Sequence, residues 1–442
     1  MCERVVFSRF YHFLSPVLSD CQSGFRKADS TSFQLVCLVQ QWCEALDSSK
    51  YVAAVFFDLQ KAFDRVWHKG LLCKLEAAGA RGAPLQWFQS YLSDRRQSTR
   101  VADAVSSTLP LSAGVPQGAI LSPLLFILYV NNITQVSSAD VNLFADDTSS
   151  FVADKCPHRL CARLQDTVDQ LAKWFDRWLL TVNVQKSAVV LFRSVRMRAF
   201  DLDVSLGGEK VPQVSAHKHL GVTFSETLTW DNHMEAIIKK GAQRIGLLRR
   251  YRSRLPPLAI RQLYCACIRP ALEYASIAWG GLSSTCAEQL ERLQRRAARL
   301  ISGTPRLSDT PHNIILARAG LSTLASRRLV EHAVLAFRFV NHLLPDHLLN
   351  QFDHWNTPKP VRAQSLRNAG KICLPRAAKS ILKKSTLFLS LSLSGIIFLM
   401  ILSLLLPLVL LGPFLRLNSR SSSFPDPPLL AVCPLGCAAV FS

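Results

Sequence analysis

The chain has 442 residues, 49% of them hydrophobic, which is enough to bury a sizeable core and excludes a largely disordered polypeptide. Its 52 Lys and Arg outnumber 31 Asp and Glu, and the formal net charge of +21 points to a polyanionic partner, either nucleic acid or an anionic membrane surface. Thirteen cysteines occur without a CxxC pair or a Cys/His cluster of zinc spacing; they read as free thiols of a reducing compartment, and no secretory leader is expected at the start.

Ser30 and Thr31 can cap a helix running through Leu46, with Leu35, Leu38, Val39 and Trp42 on one face. Tyr51 to Asp58 is an apolar run ending in an acid, which suits a buried strand. Helical patterns follow over 69–78 and 84–92. Gly114-Val-Pro-Gln-Gly118 predicts a turn leading into an apolar helix over 120–133. Val141 to Asp147 predicts a second buried strand entering a tight turn. Over 157–180, Leu160, Leu164, Val168, Leu171 and Phe175 recur every three or four residues, as an amphipathic helix requires. Strands are expected over 188–192 and 214–224, with Gly207-Gly208 closing a hairpin between 201 and 214. Basic helices follow Trp230: between Lys239 and Arg299, thirteen Lys and Arg stand against three Glu. Ser385 to Leu415 contains no charged residue and is long enough to cross a membrane.

Two acidic signals carry the chemistry. Phe57-Asp58 and Phe144-Ala-Asp146-Asp147 each place a carboxylate at the end of an apolar strand. An unpaired charge there costs several kcal/mol or shifts its pKa, so each acid calls for a compensating cation. Two such strands side by side would bring Asp58 and Asp146 together, and like charges at short range call for a bridging divalent ion. Oxygen-only ligands select hard ions, hence Mg²⁺, with Mn²⁺ as a substitute. Either pair taken alone is more often a turn or a helix cap.

These blocks resemble the reverse transcriptases of non-LTR (LINE-type) retrotransposons, especially the jockey-like group. The similarity runs from about residue 4 to about 380. It rests on Gln22-Ser-Gly-Phe-Arg-Lys27, the Asp58 block, Gly114-Val-Pro-Gln-Gly118, Phe144-Ala-Asp-Asp147, Asn183-Val-Gln-Lys-Ser187 and Leu220-Gly-Val222, all in the family's order. The resemblance implies an α+β right-hand polymerase with an antiparallel-sheet palm, truncated fingers and a helical thumb. It places residual fingers over 1–50, the palm over 51–225, and a basic helical thumb and C-terminal region over 226–384. An apolar tail occupies 385–442.

The resemblance also implies an RNA-directed DNA polymerase that adds deoxynucleoside triphosphates to a DNA primer on an RNA template. Asp58 and Asp146 would ligate the metals and Asp147 would support them. Phe63 would lie under the incoming sugar and clash with a 2′-hydroxyl. Gln117 and Gly118 would line the nascent pair, and Lys186 would offer a cation or a proton to the leaving pyrophosphate. Arg26 and Lys27 would touch template or nucleotide phosphates, and Leu220, Gly221 and Val222 would form the primer grip. The basic helices would track the duplex backbone. Such a protein would work in the cytoplasm and nucleus.

The chain also departs from the family. The upstream fingers strands and an N-terminal endonuclease are expected to be missing, which leaves a non-catalytic nucleic-acid-binding remnant as the alternative. Where the jockey-like group carries Trp-Asn-x-Leu-Pro, this chain has Gly395-Ile-Ile-Phe-Leu399. The codons TGG AAT CAT CTT CCT, shifted by one base, give that string. Residues after about 394 therefore read as a frameshifted segment, with a membrane anchor as the rival.

Overall fold

The computed structural model describes residues 2–305, 308–345 and 348–349. The apolar tail, with its frameshift and membrane-anchor readings, lies outside them. No helix among the described residues is long and apolar enough to cross a membrane.

Two helices, α1 (Cys2–Leu14) and α2 (Thr31–Asp47), precede strand β1 (Tyr51–Phe57). Ser30 caps α2 as expected, its hydroxyl accepting from the Phe33 N–H at 3.3 Å. Next come α3 (His68–Ala77) and α4 (Ala83–Leu92), then two small exposed ribbons. The ribbons pair β2 (Arg96–Gln97) with β5 (Leu109–Pro110) and β3 (Arg100–Val101) with β4 (Ala104–Val105). The apolar α5 (Ser122–Val130) leads to the hairpin of β6 (Asp140–Phe144) and β7 (Asp147–Asp154). After α6 (Pro157–Arg177) come β8 (Ala188–Phe192) and the Gly207-Gly208 hairpin of β9 (Ser205–Leu206) and β10 (Glu209–Lys210).

The central sheet has the order β6-β7-β1-β8 and is antiparallel throughout. Its middle strand β1 is apolar on both sides because both faces are covered. Val52, Ala54 and Phe56 face a core shared with α2, where fully buried Trp42 stacks on Phe192 at 4.5 Å and meets Phe56, Phe151 and Phe224 edge-on. Ala53, Val55 and Phe57 face the opposite core with α5 and α6, including Leu171 and Phe175.

The strand expected over 214–224 is in fact two, β11 (Ala216–His219) and β12 (Val222–Ser225), folded back at Leu220-Gly221. Both turn residues have positive φ, +45° and +83°, the signature of a two-residue turn that matches strand twist. The run 214–224 shows only strand character, and a single Gly within it did not reveal the turn. The longest departure is β7. Ser149 and Ser150, polar yet buried, disguise a strand that pairs with β1 along its whole length.

Helices α7 (Asp231–Tyr251), α8 (Pro257–Leu263), α9 (Arg269–Glu273), α10 (Ser284–Ser302), α11 (His312–Arg318) and α12 (Leu324–Val340) complete the described chain. Their core, with buried Tyr264, Trp279 and Leu290, is continuous with the α2 side of the sheet.

Candidate active site

Strand register decides where the acids stand. β1 ends with Phe57 opposite Thr148 of β7, so the next residue, Asp58, and the preceding one, Asp147, leave the sheet at the same end. The β6–β7 ladder closes at Phe144 opposite Asp147, which leaves Ala145-Asp146 as the two-residue turn at that end. The three acids feel one another. The Asp147 side chain is exposed, yet its carboxyl is pushed up to about 6, first by partial desolvation among the neighbouring atoms and then by the charges of Asp146 and Asp58. Asp146 is raised too, by burial and by Asp58, against a backbone hydrogen bond that lowers it.

Among the described residues, no three Asp, Glu, His or Cys side chains are drawn together into a ready-made metal cage. The donor set nonetheless suits a hard divalent cation: three carboxylates at one sheet end, two of them reluctant to ionise beside each other.

The segment 181–187 is clipped onto the end of β1. The Asp58 N–H donates to Ser187 Oγ at 3.1 Å, and its carbonyl accepts from the Asn183 N–H at 2.8 Å. The Gln60 N–H donates to the Thr181 carbonyl at 2.8 Å. This clip puts exposed Lys186 beside Asp58 on a cavity of about 480 Å³ that Lys61, Arg65 and Asn183 also line. Lys61 and Arg65 were missed in the sequence. The one available signal is their basic character a few residues after Asp58, on either side of Phe63.

Phe63 is half-buried. Its ring stacks on Phe126 at 4.5 Å, and Phe25, itself exposed, meets it edge-on at 6.2 Å. Gln117 donates through Nε2 to Asp64 Oδ1 at 2.9 Å. Gly118 has φ +84° and open space where a Cβ would stand, so its backbone angle and not close packing asks for glycine. At Gly114 a Cβ would lie 2.8 Å from the Asp64 carbonyl oxygen, so this glycine is needed for packing the turn on the Asp58 block.

Arg26 is turned inward: its guanidinium donates to the Ser19 carbonyl at 2.8 Å and lies 3.8 Å from Asp20. Lys27 is exposed, with its ammonium over the Tyr11 ring at 4.7 Å. The Leu220-Gly221-Val222 turn lies against Tyr274, which follows α9.

Residues 2–224, just over half of the chain, match the family described as reverse transcriptase (RNA-dependent DNA polymerase). The chain belongs to the reverse transcriptase family. Its relatives include the probable RNA-directed DNA polymerase from transposon BS of Drosophila melanogaster, 31% identical over 69% of this chain and 35% of that protein. The RNA-directed DNA polymerase from mobile element jockey of the same species is 31% identical over 64% of this chain and 32% of its own length. This reverse transcriptase chain thus spans about a third of the curated relatives it matches. It also aligns with telomerase from Candida tropicalis in complex with a fragment of telomeric RNA, at 12% identity and a TM-score of 0.37, over 72% of this chain and 56% of that one. The α+β fold around an antiparallel sheet agrees with the family assignment.

Proposed function

We propose that this chain is an RNA-directed DNA polymerase, extending a DNA primer along an RNA template with deoxynucleoside triphosphates. The observation that carries the reading is the shared sheet end: β1 delivers Asp58 where the β6–β7 hairpin delivers Asp146 in its turn and Asp147 at the start of β7. These carboxylates would hold Mg²⁺, or Mn²⁺ in its place. When bound, the ions would lower the pKa of the primer 3′-hydroxyl and neutralise charge developing on the phosphates.

The chain's own groups supply position and electrostatics. Lys61, Arg65 and Lys186 line the cavity beside Asp58 and suit the triphosphate. The 3′-hydroxyl attacks the α-phosphorus in line, and Lys186 offers a cation or proton to the departing pyrophosphate. Phe63, fixed by Phe126 and Phe25, would meet the sugar and obstruct a 2′-hydroxyl. Gln117 and Gly118 would border the nascent pair. Leu220, Gly221 and Val222 would hold the primer strand, and the basic helices from α7 onward would follow the duplex backbone. Lys27 remains available to a phosphate, whereas Arg26 would have to give up the Ser19 carbonyl. In these terms residues 1–50 serve as residual fingers, 51–225 as palm, and the helices from 226 as thumb. The nine cysteines whose side chains are described are free thiols, which suits the cytoplasm and nucleus.

Primer extension on poly(rA)/oligo(dT) with Mg²⁺ or Mn²⁺ tests the reading. Extension that disappears in Asp146→Asn is expected. Salt-sensitive RNA binding without extension would instead establish a non-catalytic binding protein.

A further inference from the structure

The Gln22-Ser-Gly-Phe block lies beside the end of β6 and runs parallel to it, bridged at Gln22 and Leu143. The Ser23 N–H donates to the Leu143 carbonyl at 2.9 Å, and the Leu143 N–H donates to the Cys21 carbonyl at 2.9 Å. This places Gln22, which is fully buried, against the turn that carries Asp146.

The Gln22 carboxamide oxygen accepts two N–H groups: Gly24 at 2.7 Å and Ala145 at 3.1 Å. Both partners are donors, so the oxygen and not the nitrogen must face them, and both its lone pairs are used. Ala145 opens the two-residue turn, and its N–H lies outside the β6–β7 ladder, which closes at Phe144 and Asp147. Without Gln22 that buried donor would have no acceptor. Ala145 also has φ +57°, a left-handed conformation that an alanine does not favour, so the turn needs an outside restraint. Gly24 completes the contact from the other side. A Cβ there would lie 2.2 Å from the Ala145 nitrogen and 2.9 Å from the Phe144 carbonyl carbon. The brace therefore fixes the Phe144–Ala145 peptide, one residue before Asp146, through one side-chain oxygen and one glycine backbone.

We propose that Gln22 is a positioning residue for Asp146 and Asp147: its carboxamide oxygen holds the Ala145 peptide and so sets where the two carboxylates point. The proposal rests on reading those acids as the divalent-ion site.

Gln22→Leu keeps the volume and removes the acceptor, while Gln22→Glu keeps an acceptor oxygen whether ionised or protonated. Three quantities are measured on the full chain: amide exchange at Ala145, Mn²⁺ affinity by electron paramagnetic resonance, and kcat and KM for primer extension. In Gln22→Leu, with its circular dichroism unchanged, Ala145 exchange should accelerate roughly tenfold, as loss of one buried hydrogen bond implies. Mn²⁺ should bind about tenfold more weakly. The kcat should fall by on the order of 100-fold, with KM for primer–template unchanged. Gln22→Glu should restore Ala145 protection and much of the Mn²⁺ affinity. Unchanged exchange at Ala145 in Gln22→Leu overturns the proposal, as does faster exchange with unaltered Mn²⁺ affinity. A parent protein that binds Mn²⁺ through Asp146 without extending a primer defeats the polymerase reading and leaves the brace standing. If parent Mn²⁺ binding ignores Asp146, the acids are not the ion site and positioning for it is refuted.

Discussion

The Tyr274 hydroxyl donates to the Leu220 carbonyl at 2.9 Å and lies 3.0 Å from Thr31 Oγ1, so one side chain from the helical region ties down both the β11–β12 turn and the start of α2. Its ring occupies the space a side chain at Gly221 would need, since a Cβ there would stand 2.9 Å from Tyr274 Cε1. Tyr274→Phe keeps the ring and removes the hydroxyl. Stability should drop by about 1 kcal/mol, the worth of an ordinary hydrogen bond. Extension products should shorten at a fixed enzyme-to-primer ratio if the turn holds the primer as proposed, because it loses its tie to the helices. Denaturant unfolding and product-length analysis check both effects, and unaltered product lengths would remove Tyr274 from the primer-holding machinery.

Phe63 is held from two sides, stacked on Phe126 and edge-on to Phe25. A ring so fixed can reject a 2′-hydroxyl by collision. Phe63→Val should lower the preference for deoxynucleotides over ribonucleotides by at least about tenfold, a change of about 1.4 kcal/mol in relative transition-state binding. The ratio of kcat/KM for the two nucleotide types measures it. A preserved ratio would reduce Phe63 to a packing residue.

The Asp147 carboxyl is pushed up to about 6 from an ordinary value of 3.8, chiefly through partial desolvation of this exposed side chain and then through Asp146 and Asp58. Between those values the folded protein keeps a proton that the unfolded chain has released, so stability falls as pH rises from about 4 to about 6 and stays lower above. Below about pH 4 both states are protonated and the penalty vanishes. Asp147→Asn is neutral throughout. Without divalent ions its Tm should exceed the parent's at about pH 7.5 and match it near pH 4. Added Mg²⁺ should raise the Tm of the parent more than that of the variant. A variant less stable than the parent at neutral pH contradicts this account.

Trp42 is fully buried among Phe56, Phe151, Phe192 and Phe224, where α2 covers the sheet. Trp42→Ala should cost about 3–5 kcal/mol, the usual range for emptying an aromatic site in a close-packed core. Trp42→Phe should lose much less. Urea midpoints of the two variants decide it, and a small loss for Trp42→Ala would mean that α2 and the sheet close over the gap.

Much of this protein was determined locally, in its sequence. The Ser30 cap and the apolar stripe 35–42 predict α2, and the three-four spacing from Leu160 to Phe175 predicts α6, because a helix buries one face and its period records which. The acids at the ends of apolar runs point to a candidate site because an unpaired charge there is costly and calls for a compensating cation. What the tertiary structure alone decided is pairing. β7 was hidden by buried Ser149 and Ser150, and only its antiparallel register with β1 sets Asp58 level with Asp147. Arg26 sits in a basic pair that points to a phosphate, and only the fold shows its guanidinium donating to the Ser19 carbonyl. Lys61 and Arg65 gained significance only once 181–187 closed over Asp58 to shape the cavity. Gln22 lies 123 residues from Ala145, and its hydrogen bond to that turn leaves no periodic trace in the chain. Periodicity encodes which face is buried; it does not encode which distant peptide a buried amide will meet.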